Sequence, residues 1–157
     1  MITLTLSNPA DIDDLARFID RITAPPPSAT RVVEDAVRAG FAQNFASESA
    51  GGDPWDQLTF FTMLDRVIKG FPAAHPILVR TGDYRASFVD SGDGDALYDF
   101  MSTGDGWAMD VGSDDDRVTD LEGGTRRIPA RPVTILSDAA ENDVAAALER
   151  MIVQLEL

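Results

Sequence analysis

The chain carries a single histidine, His75, set between Ala74 and Pro76, and no cysteine among its 157 residues. A metal centre built on imidazoles or thiolates therefore has no ligand set to draw on. No serine sits in a G-x-S-x-G elbow, and no nucleophile is spaced to pair with His75, so a structural or solvent-facing role is expected of it. Asp90-Ser91-Gly92-Asp93-Gly94-Asp95 places three carboxylates within six residues, a composition that calcium would favour. The D-x-[DN]-x-[DN]-G order and the bidentate glutamate at the twelfth position are missing, so turn carboxylates are expected instead. Gly104-Asp105-Gly106 and Gly123-Gly124 punctuate turns without matching a phosphate-binding loop. The residue types point to no catalytic site, no metal and no cofactor.

What remains is the chemistry of contacts. Net charge is −14, and eleven acids lie between Asp90 and Glu122 against one base, Arg117. Such a surface repels phosphate, which excludes tight or sequence-specific nucleic-acid binding. Three arrangements fit it: a solvated loop, a face toward a basic partner, or the wall of a channel through which DNA slides without sticking. Asp114, Asp115 and Asp116 form its densest run. Trp55, beside Pro54, suits either an interface anchor or a clamp from loop to core; Trp107, inside a strand pattern, suits the core. Arg131 is held extended by Pro132 and fits a fixed salt bridge, within the fold or across a subunit boundary, the internal one being the expected case.

These residues need a scaffold, and 157 residues with 44% hydrophobic content supply one domain with a real core. Alternation over residues 2–6 predicts a short strand. Asn8 and Pro9 then open a helix with Ile12, Leu15, Ile19 and Ile22 in one stripe, ended by Pro25-Pro26-Pro27. A longer helix is predicted from Ser28 or Thr30 to about Ser49, with Val33, Val37, Phe41 and Phe45 stacked and Gly51-Gly52-Asp53-Pro54 as its stop. A weaker helical pattern covers Thr59 to Lys69, with Phe60, Leu64 and Val67 or Ile68 on one side. Ile77 to Val79 predicts a strand, and Thr81 a cap for a short helix from Gly82 to Phe88. Gly82 is expected to permit a tight turn that a side chain would strain.

Ala96–Met101 and Trp107–Val111 predict a hairpin, residues 113–127 a loop or mobile arm, and Ile128–Leu136 an edge strand interrupted by Pro129 and Pro132. Asp138 and Glu141 make a capping pattern before a last helix with Val144, Leu148, Ile152 and Leu155 in one stripe. The fold class is α+β: a small, mostly antiparallel sheet with a long helix in the N-terminal half and a C-terminal helix packed on one face. No stretch is long and apolar enough to span a membrane, and Met1-Ile2-Thr3-Leu4-Thr5-Leu6 lacks the basic lead and apolar core of a signal peptide. Synthesis in a cytoplasm is expected.

Two segments carry a resemblance. Ile77-Leu78-Val79-Arg80-Thr81-Gly82-Asp83-Tyr84-Arg85-Ala86-Ser87-Phe88 follows the loop Asp53-Pro54-Trp55-Asp56-Gln57-Leu58-Thr59, and Ile128-Pro129-Ala130-Arg131-Pro132-Val133 precedes the last helix. In this order they resemble the phage virion morphogenesis family, Mu-like minor tail, tail-completion and neck proteins, over residues 28–157. Trp107-Ala108 stands where that family has Tyr-Ala. The resemblance implies one virion morphogenesis domain over 1–157, with an acidic loop or arm at about 90–127. It further implies a structural protein rather than an enzyme, located in the virion and assembled in the host cytoplasm. The expected assembly is a homo-oligomeric ring, a hexamer, at the head-proximal end of the tail or at the neck. Its partners would be tail-tube, sheath or connector rings, with DNA passing through the lumen and no membrane involved. Interface residues would come from Trp55, Arg131 and Asp114–Asp116. The competing expectation is a stand-alone acidic module acting on a basic partner.

Overall fold

The computed structural model describes residues 9–73, 76–103 and 106–156. The expected strand at 2–6, the Asn8 cap, His75 and the Gly104-Asp105 turn lie outside the described residues. In order come α1 (Pro9–Thr23), α2 (Pro27–Ser47), β1 (Ser49–Ala50), β2 (Asp53–Pro54), α3 (Phe60–Ile68), α4 (Asp83–Val89), β3 (Ala96–Thr103), β4 (Gly106–Ser113), α5 (Val118–Glu122) and α6 (Asp138–Glu156). Helices pack on a small antiparallel sheet, the α+β arrangement. The sheet is the β3–β4 hairpin, in register from Ala96 opposite Ser113 to Thr103 opposite Gly106. A second, two-residue ladder pairs Ser49 with Pro54.

Helix α2 is the axis of the molecule. Proline at its first position suits the helix start, where no amide donor is needed. Its C-cap, Glu48, is left-handed at φ 51°. Phe41 and Phe45 join Trp55, Ile77, Tyr84, Phe88 and Val133 in one core cluster. Phe88 meets Phe41 edge-on at 5.5 Å, a favoured aromatic geometry. On the other stretch of α2, Ala29 and Val33 cluster with Ala147, Met151 and Leu155 of α6. The two helices come close at Gly40, where a Cβ would stand 2.7 Å from Leu136 Cδ2 and 3.2 Å from Ala140 Cβ.

Several boundaries differ from expectation, each for a physical reason. Ile128–Leu136 is not a strand. Its two prolines cannot donate, and the remaining groups bond irregularly. Arg131 N donates to Leu121 O (2.7 Å), Val133 N to Glu122 Oε1 (2.6 Å), and Asn44 Nδ2 to the carbonyls of Val133 and Ile135 (2.8 and 2.7 Å). It is an extended strap tied to the end of α2. Ile77–Val79 is likewise a turn, because Leu78 takes φ 61° and Ile77 N donates to Glu48 Oε1 at 2.7 Å instead of to a strand. Thr81 does not cap α4; Gly82 holds the N-cap position without a side-chain bond. Ser137, not Asp138, receives the first α6 amides, from Ala140 N and Glu141 N.

The inward stripe of α6 runs through Ala147, Met151 and Leu155, with Val144 and Leu148 beside it and Ile152 turned out. In α1 the packed residues are Phe18 and Ile22, while Ile19 faces outward. Trp107 packs partly into the α2–α6 cluster, its ring 5.7 Å from Phe100.

Candidate interaction surface

Trp55 and Arg131, interface candidates that equally suited an internal clamp and an internal bridge, are both buried inside the fold. The Trp55 indole donates from Nε1 to Pro132 O at 3.0 Å and meets the Phe45 ring edge-on. Arg131 donates from Nε and Nη2 to Asp56 O at 3.1 and 2.9 Å. The two segments therefore staple one another: residue 55 bonds the backbone at 132, and residue 131 bonds the backbone at 56. Trp55 is the loop-to-core clamp. Arg131 is internal, yet its partner is a carbonyl rather than a carboxylate, so the fixed bridge is a hydrogen-bonded one. Burial lowers the Arg131 pKa, opposed by nearby Asp56 and reinforced by Arg66.

The acidic stretch is not a projecting arm. Beyond β4, Val118 and Leu121 pack against the aromatic cluster. Glu122 turns back to accept from Val133 N and from Thr134 Oγ1 at 2.6 Å each. Asp115 is nearly buried and is gripped by the Arg117 guanidinium through both carboxylate oxygens. That pairing holds its carboxyl below the usual range and raises the arginine. Asp114 and Asp116 are exposed. Asp90 and Asp93 each accept a backbone amide two residues on, from Gly92 and Asp95, as turn carboxylates do. Among the described residues no group of His, Asp and Glu side chains is placed to hold a metal ion, and no helix is long and apolar enough to cross a membrane.

Five of the exposed large hydrophobics among the described residues lie on α3, whose orientation inverts expectation. Phe60, Phe61, Leu64, Val67 and Ile68 are exposed, Phe61 and Ile68 at 79% and 75%. The one buried residue of this helix is Arg66, which donates to Pro76 O at 3.1 Å. Thr59 caps the helix by accepting from Thr62 N. Adjacent Phe60 and Phe61 hinted at this arrangement, since two neighbouring residues cannot both face one core across a helix. An exposed apolar face of this kind is a candidate contact surface.

Sequence reasoning also passed over a buried ion pair. Arg38 Nε lies 2.7 Å from Glu34 Oε1, and its other nitrogens donate to the carbonyls of Phe88 (2.9 Å) and Leu97 (3.0 Å). The i, i+4 spacing was the available signal, masked by the apolar residues around it. No family model, curated protein or solved structure matches the chain.

Proposed function

We propose that the protein is a structural virion component that forms a ring at the head-proximal end of a phage tail or at the neck, by self-assembly and by docking on neighbouring rings. The observation that carries this reading is the outward apolar face of α3 on an otherwise strongly acidic molecule. A ring needs a patch on one subunit to meet a different patch on the next, and α3 supplies one such patch for a second copy. The mutual staple of residues 55–56 and 131–132 adds support, because it gives the two segments behind the family resemblance a common structural purpose. The exposed carboxylates Asp114 and Asp116 suit a basic neighbouring ring or a lumen that lets DNA pass.

Light scattering on concentrated protein, with electron microscopy and binding to co-encoded tail-tube or connector rings, tests the reading. Closed oligomers or specific ring binding is the expected result. A monomer that binds none of these overturns it. The exposed acids also favour a second reading, an acidic module acting on a basic partner, and that reading predicts a stable monomer.

A further inference from the structure

A second apolar feature opens on the surface between α2, α4 and the β3–β4 hairpin. It is an open groove of about 480 Å³, lined by Val37 and Phe41 of α2, Phe88 of α4, and Leu97, Met109 and Val111 of the hairpin. Phe41 and Phe88 are buried, so the floor of the groove abuts the aromatic core. A cavity of about 150 Å³ takes one benzene ring, so two aromatic side chains fit within this volume. None of its lining residues belongs to α3, and one copy of the chain can therefore offer both surfaces at once.

The two surfaces complement each other in shape and in charge. On α3, Phe60 and Phe61 project together, their rings edge-on at 5.9 Å, which makes them one aromatic knob. Between Thr59 and Val89 four bases, Arg66, Lys69, Arg80 and Arg85, stand against two acids, Asp65 and Asp83, in a chain of net charge −14. Arg66 is buried and Lys69 is paired with Asp65, while Arg80 and Arg85 stand exposed. The groove has the opposite sign. Asp110 lines it, Asp99 lies across the hairpin from Asp110, and exposed Asp114 and Asp116 follow Ser113 of its wall. Two copies this acidic repel one another overall, so a contact between them needs locally opposed charges. The α3 face against a second α3 face lacks that opposition; α3 against the groove has it.

We infer that the Phe60–Phe61 knob of one copy docks in the groove between α2, α4 and the hairpin of a second copy. Each copy then contributes one knob and one groove, a heterologous contact that closes into a ring or runs on as a filament. The inference rests on the ring reading above and names the two surfaces that meet.

Analytical ultracentrifugation of the full chain and two variants tests it. Wild type should self-associate as concentration rises. Phe61→Asp and Gly112→Leu should each weaken self-association by about thirtyfold or more, the scale of an interface hot spot. Gly112 lines the groove at an ordinary φ, and the nearest non-adjacent atom to a Cβ there would be Leu97 Cδ2 at 3.9 Å. Leucine at this position therefore occupies the groove without strain. If that variant fails to fold, Asp110→Lys, at an exposed position, takes its place. Mixed in equal amounts, the α3 variant and the groove variant retain one intact knob and one intact groove, so a one-to-one dimer and nothing larger is expected. Wild-type association in either variant, or a mixture that stays monomeric, overturns the inference and leaves a ring to be built on another surface. A monomeric wild type that binds co-encoded rings overturns the inference alone, and one that binds none overturns the ring reading with it.

Discussion

The Arg38 guanidinium and the Glu34 carboxylate lie 2.7 Å apart with side chains only 5% and 8% exposed, one turn apart on α2. Arg38 also closes the last carbonyl contacts of Phe88 and Leu97, so a single side chain ties α2 to α4 and to β3. Removing it leaves a buried carboxylate and two carbonyls without their donor. Arg38→Ala should therefore destabilise the protein by about 3 to 5 kcal/mol. The double variant Glu34→Leu with Arg38→Met should lose less than Arg38→Ala, because no charge is stranded. Chemical denaturation of the three proteins checks the order.

Gly82 holds φ at 93°, and no atom lies within 4 Å of where its Cβ would stand. Strain from a substitution at this position is therefore purely conformational, without a clash. Gly82→Val should reduce stability by about 1 to 3 kcal/mol, and Gly82→Asn by less, since asparagine tolerates the left-handed region. Equal melting temperatures for wild type and Gly82→Val would refute the argument.

The Asp115–Arg117 pair gives a pH dependence with a definite sign. The folded-state pKa of Asp115 is depressed, chiefly by its hydrogen bond to Arg117. Its stabilisation is thus complete above the unfolded value of about 3.9 and disappears as pH falls through the lower folded value. Asp115→Asn should flatten the stability profile below about pH 4 and lower stability at neutral pH. Urea titrations at several pH values measure this.

Phe61 projects from α3 with most of its surface free. Phe61→Asp should leave stability within about 0.5 kcal/mol of wild type, as for other surface changes. The same substitution should shift the population toward smaller species in light scattering. An unchanged mass distribution would remove α3 from the contact surface.

Because Asp115 is structural, the informative acid variant is Asp114→Asn with Asp116→Asn. Weaker and less salt-dependent assembly is the expected outcome, as for charges that steer docking. Normal assembly with impaired DNA delivery would instead put these carboxylates on the channel wall.

Local patterns in the sequence were good guides wherever a helix or hairpin satisfies its own backbone. The spacing of Val33, Phe41 and Phe45 located α2, and the segments Ala96–Met101 and Trp107–Val111 on either side of a glycine-rich turn sequence located the hairpin. What stayed hidden depends on distant partners. Nothing local shows that Glu122 will accept from Val133, or that Asn44 will take two carbonyls of the strap, yet these bonds replace the expected strand. The apolar stripe of α3 was visible, but periodicity does not say which side of a helix meets the core; burial of Arg66 against Pro76 O decided that. Trp55 and Arg131 stood out by type, while their reciprocal bonding required the folded chain.

The α2–α6 cluster has a consequence for synthesis. Ala29 and Val33 emerge early from a ribosome, whereas Ala147, Met151 and Leu155, which cover them, follow well over a hundred residues later. At ordinary elongation rates that interval is on the order of ten seconds. Through it the nascent chain carries an unshielded hydrophobic helix face, open to chaperones or to a neighbouring nascent copy. Closing so long a loop also slows the final step of folding, so the N-terminal half waits for the last helix before it becomes native.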